Sequence, residues 1–66
     1  MNQNLIKCIP EKFRSHITDA YRDDDGIWIE FDEHVGNDME GSTEYATIHM
    51  DTAKEVREEA KYLTLH

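Results

Sequence analysis

The run Asp23-Asp24-Asp25-Gly26 constrains this chain more than any other stretch. It separates two segments made of strand-forming residues. Asp tolerates, and Gly prefers, the positive φ that tight hairpin turns require, so Asp-Gly between strand formers predicts a hairpin. His16 to Arg22 is the incoming strand, with Ile17, Asp19 and Tyr21 on one side and Thr18, Ala20 and Arg22 on the other. Ile27 to Glu33 is the return strand, rich in β-branched and aromatic residues. Its alternation places Ile27, Ile29 and Phe31 on one face and Trp28, Glu30 and Asp32 on the other. The first set is expected to face the core.

The flanking segments complete the expectation. Met1 to Lys7 reads as frayed or as a short strand. Ile9 to Arg14 reads as a short helical turn, with Pro10 suited to a first helical position and Glu11 to a helix N-terminus. His34 to Thr43 contains Gly36, Asn37, Asp38, Gly41 and Ser42 and reads as a loop. Glu44 to Met50 is a third strand, with Ala46, Ile48 and Met50 opposite Tyr45, Thr47 and His49. Thr52-Ala53-Lys54-Glu55 matches a capping box. Ala53, Val56, Ala60 and Leu63 then form one helical stripe, and the helix should stop near Tyr62, with Thr64 to His66 trailing off. The expected fold is α+β: a three-stranded antiparallel β-meander, one C-terminal α-helix on one face and a short N-terminal helical turn. It forms one small acidic domain over residues 1–66. Trp28 and Tyr45 would stand on the face that the helix leaves uncovered. Either Leu5, Ile6, Ile9 and Phe13 fold over that face, or another chain does.

Size and charge narrow the function. A chain of 66 residues buries only about 60% of its unfolded surface, so its core is marginal. Cys8 is the single cysteine, which excludes an intramolecular disulfide and suits a reducing, cytoplasmic setting. No apolar run approaches the roughly 20 residues of a membrane-spanning helix. Met1 to Asn4 lacks the basic and apolar regions of a signal peptide. The formal net charge is −8, and residues 19–44 carry all of the excess, with ten carboxylates and one base, Arg22. Such a field repels nucleic acid and anionic membrane and attracts basic surfaces. Solubility alone is the competing explanation for the acids.

Catalytic patterns are scarce. No serine sits in a nucleophile elbow, and no glycine-rich loop could cradle a phosphate. Cys8 beside His16 or His49 lacks any supporting local pattern and reads as a buried thiol. His16, His34, His49 and His66 match no zinc spacing. His16 and His49, if on adjacent strands, could meet a carboxylate. The acidic run fails as an EF-hand, because Gly26 at loop position 6 puts Tyr21 where an aspartate belongs. Neither catalytic residues nor metal or cofactor ligands are assigned. Glu30 and Asp32, two apart on a strand, project about 6.6 Å apart on one face, similar to successive phosphates of a nucleic-acid strand.

Ile9-Pro10-Glu11-Lys12-Phe13, Ile17-Thr18-Asp19, Asp25-Gly26-Ile27-Trp28-Ile29 and Ala46 to Thr52, leading into a charged helix, together resemble a group of small, mostly uncharacterised proteins of Firmicutes genomes and their mobile elements. The resemblance covers most of residues 9–63. It implies the strand–strand–strand–helix order and no catalytic residue. A mobile-element setting is compatible with small inhibitors of defence enzymes.

Two functions are therefore expected, neither of them enzymatic. The first is an acidic protein-binding module that docks on a basic protein surface, such as that of a nuclease or another DNA-binding protein. It would act as a nucleic-acid mimic of the kind that inhibits a CRISPR effector or a restriction enzyme. Its partner-binding residues are Asp23, Asp24, Asp25, Glu30, Asp32, Glu33 and Asp38, with Trp28 and Tyr45 as anchors. It would bind neither nucleic acid nor membrane. The second is a structural or assembly homodimer joined through the open sheet face around Trp28, Tyr45 and His49.

Overall fold

A computed structural model describes residues 2–38 and 46–66 of the chain. The element order is α1 (Gln3–Ile6), α2 (Glu11–Arg14), β1 (Ile17–Asp23), β2 (Gly26–Phe31), β3 (Val35–Asn37), β4 (Thr47–Met50), α3 (Ala53–Glu59), a 3-10 turn (Ala60–Tyr62) and β5 (Leu63–Leu65). β1, β2 and β4 form an antiparallel three-stranded sheet, as the alternation in the sequence requires. With the C-terminal helix and the short N-terminal helices, the fold is α+β.

The hairpin turns where the acidic run predicts. Asp23 pairs with Gly26, so Asp24 and Asp25 form the two-residue loop. Asp25 N donates to Asp23 Oδ1 at 2.8 Å and tightens the corner. Gly26 takes a φ of 128°, a region that residues with a Cβ rarely adopt. A Cβ there would lie 2.7 Å from the Met50 carbonyl oxygen on β4.

Register assigns the faces. Ile27, Ile29 and Phe31 are 0, 0 and 3% exposed, and Ile29 stands between Ala20 and Ile48. On β1 the expected faces need one correction. An irregularity between Ile17 and Asp19 shifts the pairing. Ile17 and Ala20 are thereby both buried, while Asp19 and Tyr21 turn to the opposite face. A bulge inserts one residue into the period of two, and simple alternation cannot anticipate it.

Three further expectations fail. Met1 to Lys7 was expected as frayed or as a strand, yet Gln3–Ile6 is helical. Asn2 Oδ1 caps it by accepting from Asn4 N at 3.0 Å and Leu5 N at 3.2 Å. Leu5, Ile9 and Phe13 do not fold over the Trp28 face. They join one core with Ile27, Ile29, Ile48, Val56, Ala60 and Leu63. Finally, the expected loop after Glu33 contains β3, and the expected trailing end is β5, which pairs antiparallel with it. Val35 and Leu63 gain burial from this second sheet. Asn37 is the buried polar residue beside them, and its Nδ2 donates to Glu59 Oε1 at 2.8 Å.

The helical tail follows its signals. Thr52 Oγ1 accepts from Glu55 N at 3.2 Å and donates to Glu55 Oε1 at 3.0 Å. α3 gives way to the 3-10 turn, which ends at Tyr62. The outer edge of β1 is also blocked at Ala20. Its N–H donates to Asp19 Oδ1 at 2.9 Å, and its carbonyl accepts from Asn2 N at 3.0 Å. Occupied edge groups discourage strand addition.

Candidate functional site

The face of the three-stranded sheet opposite the core is built from two rows. Tyr21, Trp28 and His49 stand opposite one another on β1, β2 and β4, and Asp19, Glu30 and Thr47 form the next row. Asp23 closes β1 at the turn. These strand positions hold three rings, three carboxylates and one threonine, and no lysine or arginine. Arg22, the sole base of the acidic segment, points to the other side by alternation.

The rings pack on one another. Phe31 N donates to Ala46 O at 3.2 Å, so by alternation Trp28 and His49 form a non-hydrogen-bonded pair, in which side chains approach most closely. Their rings stack 3.7 Å apart at 8°. Tyr21 lies on the other flank of Trp28, 6.4 Å away at 17°. Trp28 and Tyr21 are half-buried and His49 is exposed.

Two of the ring donors are taken up by acceptors at the hairpin end of the face. Trp28 Nε1 donates to Asp23 Oδ1 at 3.1 Å. His49 Nε2 lies 2.8 Å from the Asp25 carbonyl oxygen. A carbonyl only accepts, so Nε2 carries the proton in this contact. Tyr21 stands diagonal to Glu30 across the β1–β2 pair. Partial burial raises the Tyr21 hydroxyl above the usual tyrosine range. The Glu30 carboxylate, then the charges of Asp23 and Asp19, push it the same way. The face therefore presents ring surface and negative oxygen.

The candidates named from sequence separate into groups. Asp23, Trp28 and Glu30 meet on this face, with Asp24 and Asp25 at its hairpin end. Asp32 is engaged elsewhere. Its Oδ2 lies 2.9 Å from His16 Nδ1, and its Oδ1 accepts from His34 N at 2.9 Å. Partial burial would raise this carboxyl. The His16 hydrogen bond, the His34 N–H and both imidazole charges outweigh that and hold it below the usual carboxylate range. Glu33 and Asp38 are exposed. Glu33 follows the far end of β2, near His34 at 3.9 Å; Asp38 follows β3. Tyr45 lies outside the described residues. Glu30 and Asp32 thus do not act as a matched pair of unengaged carboxylates.

Sequence reasoning undervalued Tyr21 and missed its place beside Trp28. The signal was present. A two-residue loop at Asp24 and Asp25 forces Tyr21 opposite Trp28 by counting back from the turn. His16 and His49 are not brought together, because β2 lies between β1 and β4, and His16 meets the Asp32 carboxylate instead. Among the described residues, no group of three His, Cys, Asp or Glu side chains could hold a metal ion. Cys8 is buried, and its thiol donates weakly to the Asn4 carbonyl at 3.7 Å. No described helix is long and apolar enough to cross a membrane.

Comparison with protein-family models, with curated proteins and with solved structures finds no match, so the reading of this face rests on its own geometry.

Proposed function

We propose that this chain is a non-catalytic protein-binding module whose open sheet face docks on a basic protein surface. The carrying observation is the Tyr21–Trp28–His49 row bordered by Asp19, Asp23 and Glu30, with no lysine or arginine among the described strand positions of that face. Aromatic rings at a surface anchor protein interfaces because they bury large area at little entropy cost. Carboxylates around them steer a positive partner and raise its association rate. Asp23, Asp24, Asp25 and Glu30 supply that field, with Glu33 and Asp38 adding to it at longer range. A basic surface evolved for DNA is the partner class this charge suits, and it is the class an anti-restriction or anti-CRISPR inhibitor would occupy. A second copy of the same face suits less well, because like carboxylates would meet across a two-fold axis.

The test is capture of the partner with the intact chain, followed by binding measured over a range of salt. Asp23→Asn, Asp24→Asn and Asp25→Asn combined with Glu30→Gln should weaken binding at least about tenfold and flatten its salt dependence. Unchanged affinity and unchanged salt dependence would sink the proposal.

A further inference from the structure

We infer that the open face is selective for arginine over lysine, and that it docks an arginine-presenting segment of its protein partner. The inference rests on the binding-face reading above and adds the chemistry of the partner. The face offers two things side by side. One is a row of rings spanning three strands, roughly 10 Å at ordinary strand spacing. The other is a carboxylate row of Asp19 and Glu30 directly alongside it. Glu30 is two residues from Trp28 on one strand and diagonal to Tyr21 across the β1–β2 pair, so it sits at the junction of both rows.

A guanidinium uses both features at once. It is planar and weakly hydrated, so it lies against an aromatic face, and its fork of N–H donors matches a carboxylate. An ammonium is a compact, strongly hydrated point charge. It would gain the carboxylate attraction and little from the rings. The Trp28 and His49 donors are already taken by Asp23 and the Asp25 carbonyl. Trp28 stacks between His49 and Tyr21, so the row contributes the outer faces of Tyr21 and His49 together with the ring edges, and the oxygens contribute acceptors. Backbone amides or a neutral polar peptide would use the acceptors without using the stack.

Trp28 is the single tryptophan, so its fluorescence reports on this face alone. The intact protein is titrated with a capped Arg-Gly-Arg peptide and, separately, with its Lys-Gly-Lys counterpart of equal charge. The expected result is a saturable change in Trp28 emission with arginine, about tenfold tighter than with lysine. Glu30→Gln should remove most of that preference, and its unfolding curve checks that the fold is retained. Asp19→Asn, away from the ring donors, gives a second reading should Glu30→Gln unfold the chain. Equal affinity for the two peptides overturns the inference while leaving a merely acidic docking surface standing. No emission change with either peptide overturns it as well. Sedimentation showing a dimer that shields Trp28 from quenchers overturns it in favour of a second copy. Failure of the binding-face reading itself would appear separately, as partner binding indifferent to charge neutralisation.

Discussion

The two sides of β2 differ as sharply as any two regions of this molecule, though they share one backbone. Toward the core, Ile27, Ile29 and Phe31 pack against residues from both helical ends of the chain. Toward the other side, Trp28 and Glu30 join a row of rings and a row of acids that no described element covers. The lesson is a division of labour. One face carries the hydrophobic stabilisation of a marginal core, and the other leaves a large aromatic half-buried. That exposure costs a small protein buried area it can ill spare. The half-buried tryptophan flanked by carboxylates is the feature on which the proposed contact surface rests.

The sharpest way to break this comparison is to truncate one residue from each face. Ile29→Ala should lower the stability measured by urea unfolding by about 3 kcal/mol, the usual cost of a buried cavity. Trp28→Leu should lower it by about 1 kcal/mol, the scale of a lost aromatic stack, while weakening partner binding far more. Equal losses of stability would mean that Trp28 belongs to the core and that the open face is misread.

The hairpin corner that creates both faces gives a middle-sized effect. Gly26→Ala places a Cβ against the Met50 carbonyl at a φ that side chains rarely adopt. Thermal unfolding should register a loss of about 2 kcal/mol. A neutral substitution would show that the β2–β4 pairing beside the turn is looser than its register implies.

The smallest effect lies on the polar side and depends on pH. Asp32 has a folded-state pKa below its ordinary value of 3.8. The native state thus binds its proton less tightly than the unfolded chain does. The stability this supplies is complete above the unfolded value and is lost as pH falls through the lower folded one. Urea midpoints from about pH 5 down to about pH 2 should fall less steeply in Asp32→Asn than in the unaltered chain. Identical slopes would show that His16 and the His34 amide do not hold the carboxylate in solution.

Much of the fold was legible because its signals are local. The aspartate-glycine corner, the alternation of Ile27 to Phe31 and the Thr52–Glu55 cap each act over a few residues, and each appears where its residue types put it. The site was half legible. Trp28, Asp23 and Glu30 follow from strand parity. Tyr21 needed the loop length to be counted through to its cross-strand partner. The spacing of Glu30 and Asp32 was legible, but not that His16, sixteen residues away, claims Asp32.

By itself, the sequence determined where the chain turns, which strands alternate and where the C-terminal helix begins. Those choices depend on dihedral preference and on hydrophobic period, both properties of neighbours along the chain. Only the tertiary structure decided that β3 finds β5, that α1 and α2 join the core instead of the open face, and that a bulge between Ile17 and Asp19 returns Ile17 to the core side with Ala20. Those outcomes depend on which apolar surfaces and unpaired backbone groups meet after collapse. No local pattern of residues records the identity of a partner that is twenty or thirty positions distant.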